Sequence, residues 1–249
     1  RSTLFPYTTL FRSKATVVPV AKNMEKTVTK VDNVSYWYNG RQYKYDVAFK
    51  YQITFSGVSD SDFNSDGKLV IKDSYTPNDK GLTLLEGNYS DNLCIGWTHL
   101  GSKSTVNVNA NNGTITFNID KSDIPTSGGS YQSSYTLTYY LGIGGPLTDG
   151  EYSDAVKANL AKFEKAALDA GDAGLTIQNS ATWGSKTATS EYKYSYSKVS
   201  KEHTDFQDGK STFTLRINSG KFDLDPTSDT LTMTDAYSNL RIDFQTIKV

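Results

Sequence analysis

Apolar and polar residues alternate along most of this chain, in short runs separated by Gly, Asn, Asp and Ser. Residues 27–31, 47–55, 69–72, 82–85, 105–108, 114–119, 135–143 and 175–183 change character at every second position. That is the period of a strand with one buried face. Asn111-Asn112-Gly113, between two such runs, is a hairpin turn. Short strands at this spacing predict an all-β chain built as an antiparallel sandwich. One segment, 153–171, has a helical period instead, with Val156, Leu160, Phe163 and Ala167 on one face. Ser153 is placed to cap its start and Gly171 to end it. A helix inserted just before the last strand reads as a crossover that plugs one end of the sandwich.

The pattern also repeats. Phe49–Gly57, an alternating strand ending in a Gly turn, is followed by Leu69-Val70-Ile71-Lys72-Asp73-Ser74-Tyr75 and a third strand, 82–85. Later, Phe213–Gly220 is followed by Leu231-Thr232-Met233-Thr234-Asp235-Ala236-Tyr237 and by 240–244. Self-similarity at a long period predicts tandem modules. The expected organisation is one domain over 14–200 and, over 201–249, the opening three or four strands of a truncated second sandwich. Residues 192–201 would bridge them stiffly, having no Pro- or Gly-rich spacer. Residues 1–13 read as the translation of a sequencing adapter rather than an export signal, because they lack a basic region, apolar core and cleavage site. A natural Thr-rich strand is the alternative.

Composition narrows the function more than the fold. The 249 residues carry a net charge of -1, which argues against a nucleic-acid partner. No stretch approaches the length of a membrane-spanning helix, so no membrane contact is expected. Seventeen Tyr against six Pro favour strands. Cys94 is the single cysteine, so no internal disulfide can brace the fold. Neither Cys94 with His99 nor any Ser/His/Asp set suggests a nucleophile pair, and an enzyme or a bound cofactor is not expected.

Three polar residues sit in phase with apolar neighbours. Lys26 shares strand parity with Met24 and Val28, Asp73 with Leu69 and Ile71, and Asn179 with Leu175, Ile177, Ala181 and Trp183. All three should face the core, where Lys and Asp are rarely tolerated unless paired. Together with the Tyr-x-Ile-x-Phe strand (51–55), Leu69–Asp73 and Ile177–Trp183, this order resembles the collagen-adhesin-like immunoglobulin-type domains of Gram-positive surface adhesins and pilin shafts. The resemblance covers about 20–200, with 201–249 as the start of another copy. It implies an Ig-like sandwich, a non-enzymatic stalk or adhesin role, and location outside the cell, attached to the wall. The implied partners are a host extracellular-matrix protein or neighbouring surface domains. It also implies an intramolecular isopeptide bond between Lys26 and Asn179, assisted by Asp73. Burial would keep the Lys neutral and the Asp protonated, so that the amine can attack the amide and release ammonia. Lys30 is a reserve nucleophile and Asp46 a reserve acid, although Asp46 lies in phase with the polar Lys50 and Gln52. In the second copy the corresponding candidates are Lys201 or Lys198, with Asp235.

Two other signals compete. Asp62-x-Asn64-x-Asp66-Gly67, with Asp73 at the twelfth position, has the ligand spacing of a calcium loop, but no helical pattern flanks it. A plain Asp/Asn/Gly turn, and no metal, is the favoured reading. The Tyr-rich segments 36–38, 43–51 and 192–196 are either cross-strand packing or an aromatic binding face. The latter would make the chain a carbohydrate-binding β-sandwich module of a secreted enzyme.

Overall fold

A computed structural model describes residues 20–196, 199–217 and 232–242. The expectations for residues 1–13, Lys198 and 243–249 lie outside these described residues. The chain divides into two compact units, Arg1–Ser195 and Tyr196–Val249.

In the first unit, β1 (Asn23–Tyr38) and β2 (Arg41–Ser56) form a long hairpin, followed by β3 (Lys68–Thr76) and the short β4 (Leu82–Leu84). Two two-residue strands, β5 (Cys94–Ile95) and β6 (Thr98–His99), precede the hairpin of β7 (Thr105–Asn109) and β8 (Thr114–Asp120). Then come β9 (Thr126–Ser127), β10 (Ser130–Tyr131), β11 (Ser134–Ile143) and β12 (Leu147–Thr148). Helix α1 (Asp154–Ala170) leads into β13 (Leu175–Trp183) and β14 (Lys186–Tyr194). One sheet runs β1-β2-β11-β5-β6, with β12 beside β2 and β4 beside β11. The other runs β14-β13-β3-β8-β7. Their pairings are antiparallel throughout, as the alternation predicts.

The two sheets pack face to face as a sandwich. Phe55 of the first meets Trp183 of the second with ring centroids 5.4 Å apart, and Tyr139 meets Phe117 at 5.0 Å. Ile53, Leu137, Leu69, Ile71, Phe117 and Ile177 are fully buried between them. Burial of large apolar side chains, each contributing about 1.5–3 kcal/mol, is the main stabilising term. Helix α1 starts where expected, with the Ser153 hydroxyl accepting from the Val156 amide, and ends at Gly171, whose φ is 57°. It buries Phe163 and Ala167, and Phe163 meets Tyr194 edge-on at 5.1 Å. Gly144 and Gly145, just past β11, let the helix approach, because a Cβ there would collide with Leu160 and Val156.

The structure departs from the sequence reading in two places. First, β14 is a full strand paired along the whole of β13, where residues from 192 onward were expected only to bridge two modules. Its inward positions include Ala188 and Ser190, too small and polar to register as a hydrophobic stripe. Second, the β1–β2 hairpin extends well beyond the core to Asn39-Gly40, both at positive φ. Most of the aromatic residues near its tip are packed, with Trp37 the exposed exception at 69%. Tyr36 lies opposite Tyr43 and stacks on it at 5.5 Å, and Tyr36, Tyr45 and Tyr140 are buried with Val34, Ala48 and Leu85 in a satellite core.

In the second unit the described residues form two strands, and residues 218–231 and 243–249, over which further strands were expected, lie outside them. The two strands are β15 (Val199–Gln207) and β16 (Lys210–Ile217), an antiparallel hairpin with a bulge at His203/Asp205. Residues 232–242, which include Met233, Asp235 and Tyr237, are described without strand pairing. Their side chains are exposed, so the alternation there has no second sheet in the described residues to bury its apolar face.

Candidate functional site

The site is assembled from both sheets. Lys26 sits on β1, the edge of the first sheet, opposite Ile53. Val28, one step further on the same face, is opposite Tyr51, and Tyr51 is opposite Tyr139 of β11. The Lys26 ammonium therefore reaches in over two aromatic faces, 5.2 Å from the centroids of both Tyr51 and Tyr139. From the other sheet, Asp73 on β3 lies opposite Ala181 of β13, and Asn179 on β13 lies opposite Tyr75. All three residues that strand parity assigned to the core are buried: Lys26 at 8% exposure, Asp73 at 2% and Asn179 at 0%.

One oxygen joins them. Lys26 Nζ donates to the Tyr139 hydroxyl at 2.7 Å and forms a short ion-pair contact with Asp73 Oδ2. The Tyr139 hydroxyl donates to the same Asp73 oxygen at 2.8 Å, and Asn179 Nδ2 donates to the Tyr139 hydroxyl at 3.0 Å. Asp73 Oδ1, Asn179 Oδ1 and the Tyr51 hydroxyl are buried without a hydrogen-bond partner. An unsatisfied buried acceptor costs about 1–3 kcal/mol, so such atoms mark sites held for something other than stability.

The electrostatics follow from dryness. Burial lowers the Lys26 pKa to about 8, outweighing the charge and hydrogen bond of Asp73 that raise it. Burial likewise raises the Asp73 pKa against the opposing pull of Lys26, Tyr139 and Asn179. Both shifts favour the uncharged partners. The Tyr139 phenol is pushed far up, by burial and then by the Asp73 charge, and stays protonated. An uncharged amine beside a carboxamide, a carboxylic acid and a phenol is competent for acyl transfer to nitrogen.

Tyr139 is the residue that sequence reasoning missed. Its signal was there, because it shares parity with Leu137 and Leu141, and a phenol hydroxyl facing a core needs a partner. The reserve residues stand elsewhere. Lys30 pairs with Asp32 at 2.5 Å near the surface, and Asp46 is exposed and accepts from Tyr152 at 3.4 Å.

The calcium spacing is a turn. Asp62 is taken up by Lys22 and by the Ser59 amide, and Asn64 Oδ1 accepts from the amides of Asp66 at 3.0 Å and Lys68 at 2.9 Å. Asp73 faces the core, apart from that loop. Among the described residues no group of three or more His, Cys, Asp or Glu could hold a metal ion. Cys94 and His99, too sparse a pair in sequence to suggest a nucleophile, meet across β5–β6, with Sγ 3.1 Å from Nδ1. Burial, and then the Asp91 charge, push the thiol up to about 11, so it is not a thiolate nucleophile.

In the second unit, Lys201 lies opposite Leu215 and its Nζ is within 2.8 and 2.9 Å of the two Asp235 carboxylate oxygens. It also stands 4.7 Å from the centroid of the Phe213 ring, two residues before Leu215. Lys26 stands in the same relation to Ile53 and Tyr51.

No protein-family model matches the chain, and no curated protein matches it. Among solved structures, it is similar to the serine-rich repeat adhesion glycoprotein Srr1 of Streptococcus agalactiae, at 9% identity and a TM-score of 0.30. The match covers 78% of this chain and 52% of that one, about half its length. Among the described residues no helix is long and apolar enough to cross a membrane.

Proposed function

We propose that the first unit is a non-enzymatic stalk or adhesin domain of a bacterial cell-surface protein, locked by an amide bond between Lys26 and Asn179. The observation that carries this reading is the dry cluster of Lys26, Asp73 and Asn179 spanning the two sheets. The neutral Lys26 amine attacks Asn179 Cγ while a protonated Asp73 polarises the carboxamide. A proton on Asp73 would also give one of its buried oxygens a hydrogen to donate, in a cluster where Asn179 Oδ1 has an open lone pair. The Nζ–Cγ bond forms, the Cγ–Nδ2 bond breaks, and ammonia leaves with both Nδ2 hydrogens and one from Nζ. Asp73 ends as it began.

The bond would tie the first strand of the sandwich to β13 of the opposite sheet. A link closing about 150 residues restrains the unfolded chain by about 5 kcal/mol on a loop-closure account. It would also carry tension between the sheets without unzipping either one. That suits a domain that presents a matrix protein ligand, or neighbouring surface domains, under shear. The burial of Tyr36, Tyr45, Tyr51, Tyr135, Tyr139 and Tyr140 favours the stalk over a carbohydrate-binding module of a secreted enzyme.

Intact mass tests the lock. The full chain should weigh one ammonia less than its sequence, and fragmentation should place the link between the peptides carrying Lys26 and Asn179. Lys26→Ala should restore the full mass and Lys30→Ala should not. Full mass in the unmutated chain would end this reading.

A further inference from the structure

We infer that Tyr139 is a catalytic residue of the cross-linking reaction, relaying a proton from the Lys26 nitrogen to the departing Asn179 nitrogen; this rests on the lock proposed above. The Tyr139 hydroxyl has one hydrogen and two lone pairs, and all three are engaged by the reacting groups. It accepts from Lys26 Nζ at 2.7 Å, accepts from Asn179 Nδ2 at 3.0 Å and donates to Asp73 Oδ2 at 2.8 Å. Nucleophile, leaving group and acid thus share one oxygen.

The chemistry has a gap at this place. The attacking amine carries two hydrogens and the product amide keeps one, while Nδ2 must gain one to leave as ammonia. Direct transfer would close a strained four-membered ring, and water has little access to a cluster whose Lys26 and Asp73 side chains are 0% exposed. Through the phenol the path is unstrained: Nζ passes a proton to the Tyr139 oxygen as the hydroxyl turns its own proton from Asp73 to Nδ2. The phenol is regenerated, Nζ–Cγ has formed, Cγ–Nδ2 has broken, and nothing is oxidised or reduced. No free phenolate is needed, consistent with the upward shift that burial imposes on this phenol.

The ring is fixed for this task. Tyr139 stacks on Tyr51 with centroids 5.4 Å apart and planes 17° apart, and Phe117 closes on it at 5.0 Å from the other sheet. Those contacts belong to the ring, so Tyr139→Phe removes the relay and keeps the packing.

The test follows loss of ammonia by intact mass after pulse synthesis of the full chain. Tyr139→Phe should form the bond about 100-fold more slowly, the scale of general acid–base assistance. Tyr140→Phe, which removes a buried hydroxyl from the opposite face of the same strand, should react at the unmutated rate. Folding is controlled in unlinked chains: Asn179→Ala with and without Tyr139→Phe should show the same circular dichroism. Independently, the unmutated rate in mixtures of light and heavy water should bow, as expected for two protons in flight, which a packing role would not produce. A Tyr139→Phe rate within about threefold of the unmutated one, or a linear dependence on deuterium content, overturns the relay while leaving the lock standing. Full mass in the unmutated chain overturns both.

Discussion

Strand β11 carries two adjacent tyrosines, and each belongs to a Lys–Asp–Tyr cluster on its own face. On the inner face, Tyr139 donates to Asp73, which pairs with Lys26. On the outer face, Tyr140 donates to Asp91 at 2.6 Å, and Asp91 pairs with Lys50 at 2.5 Å. The residue types are the same and the outcomes are opposite. Asp91 is also penalised by burial, but the hydrogen bonds from Lys50 and Tyr140 and the Lys50 charge outweigh it and hold its pKa below the ordinary carboxylate value. The Lys50 side chain keeps 25% of its surface exposed, so its charge stays hydrated while it pairs. Asp73 and Lys26 have no such outlet, and burial prevails for both.

The carboxamides differ in the same sense. Asn92, beside Asp91, spends its NH2 on the carbonyls of Leu85 at 3.1 Å and Gly87 at 2.9 Å, and its Oδ1 accepts from the Tyr140 amide at 3.1 Å. It is a satisfied plug that holds the loop over the sheet. Asn179 Oδ1 has no partner, and its nitrogen points at the hydroxyl shared with Lys26. The two clusters differ in which polar atoms are left unmatched in the dry interior. The second unit supplies a third case, in which Lys201 and Asp235 pair with side chains 35% and 38% exposed.

The contrast breaks most visibly at Asp73. Asp73→Ala should restore full mass and, through loss of the roughly 5 kcal/mol restraint, lower the melting temperature by about 10–20 °C. Ammonia loss unchanged from that of the unmutated chain would put Asp73 on a par with Asp91. The pH dependence of bond formation comes next. Lys26 attacks only when deprotonated, and its lowered pKa brings that form in as pH rises through about 8 rather than near the ordinary 10.5. The rate should climb through that window as the neutral amine forms. A rate that is flat there would mean that Lys26 ionisation does not limit the reaction.

Asp91→Asn sharpens the comparison from the other side. It should leave the ammonia loss intact and cost about 2 kcal/mol near neutrality, the scale of a buried group losing a charged partner. The sign is that of a carboxylate with a depressed folded pKa. Its contribution is complete above the unfolded value of 3.8 and fades as pH falls through the lower folded value, so denaturant titrations of the two proteins should converge in acid. The smallest effect belongs to Lys201→Ala, at most about 1 kcal/mol, because an exposed pair is screened by water and salt. A larger loss in a thermal melt of the second unit would show that this pair is less exposed in solution than its geometry implies.

Alternation by itself determined the class of the molecule. A period of two, broken by Gly and Asn turns, admits an antiparallel sheet with one buried face, and the capped helix at 154–170 was legible from its own period and ends. Parity also determined that Lys26, Asp73 and Asn179 face inward, because a strand allows each side chain only two directions. What parity does not carry is which inward residues meet. Lys26 and Tyr139 come from one sheet and Asp73 and Asn179 from the other, and sandwich packing alone brings their polar atoms to one point. Tyr139 escaped notice because in sequence it is one more Tyr in a strand of them, and Tyr140 beside it is buried as well, once the segment around Asp91 and Asn92 covers the outer face. Edge strand β14 was obscured for a related reason, since at an edge small and polar residues suffice to fill the inward positions. The ionisation of each Lys–Asp pair was likewise decided by tertiary structure. It depends on how much water remains beside the charge, a property of the packed layers and not of the residue types.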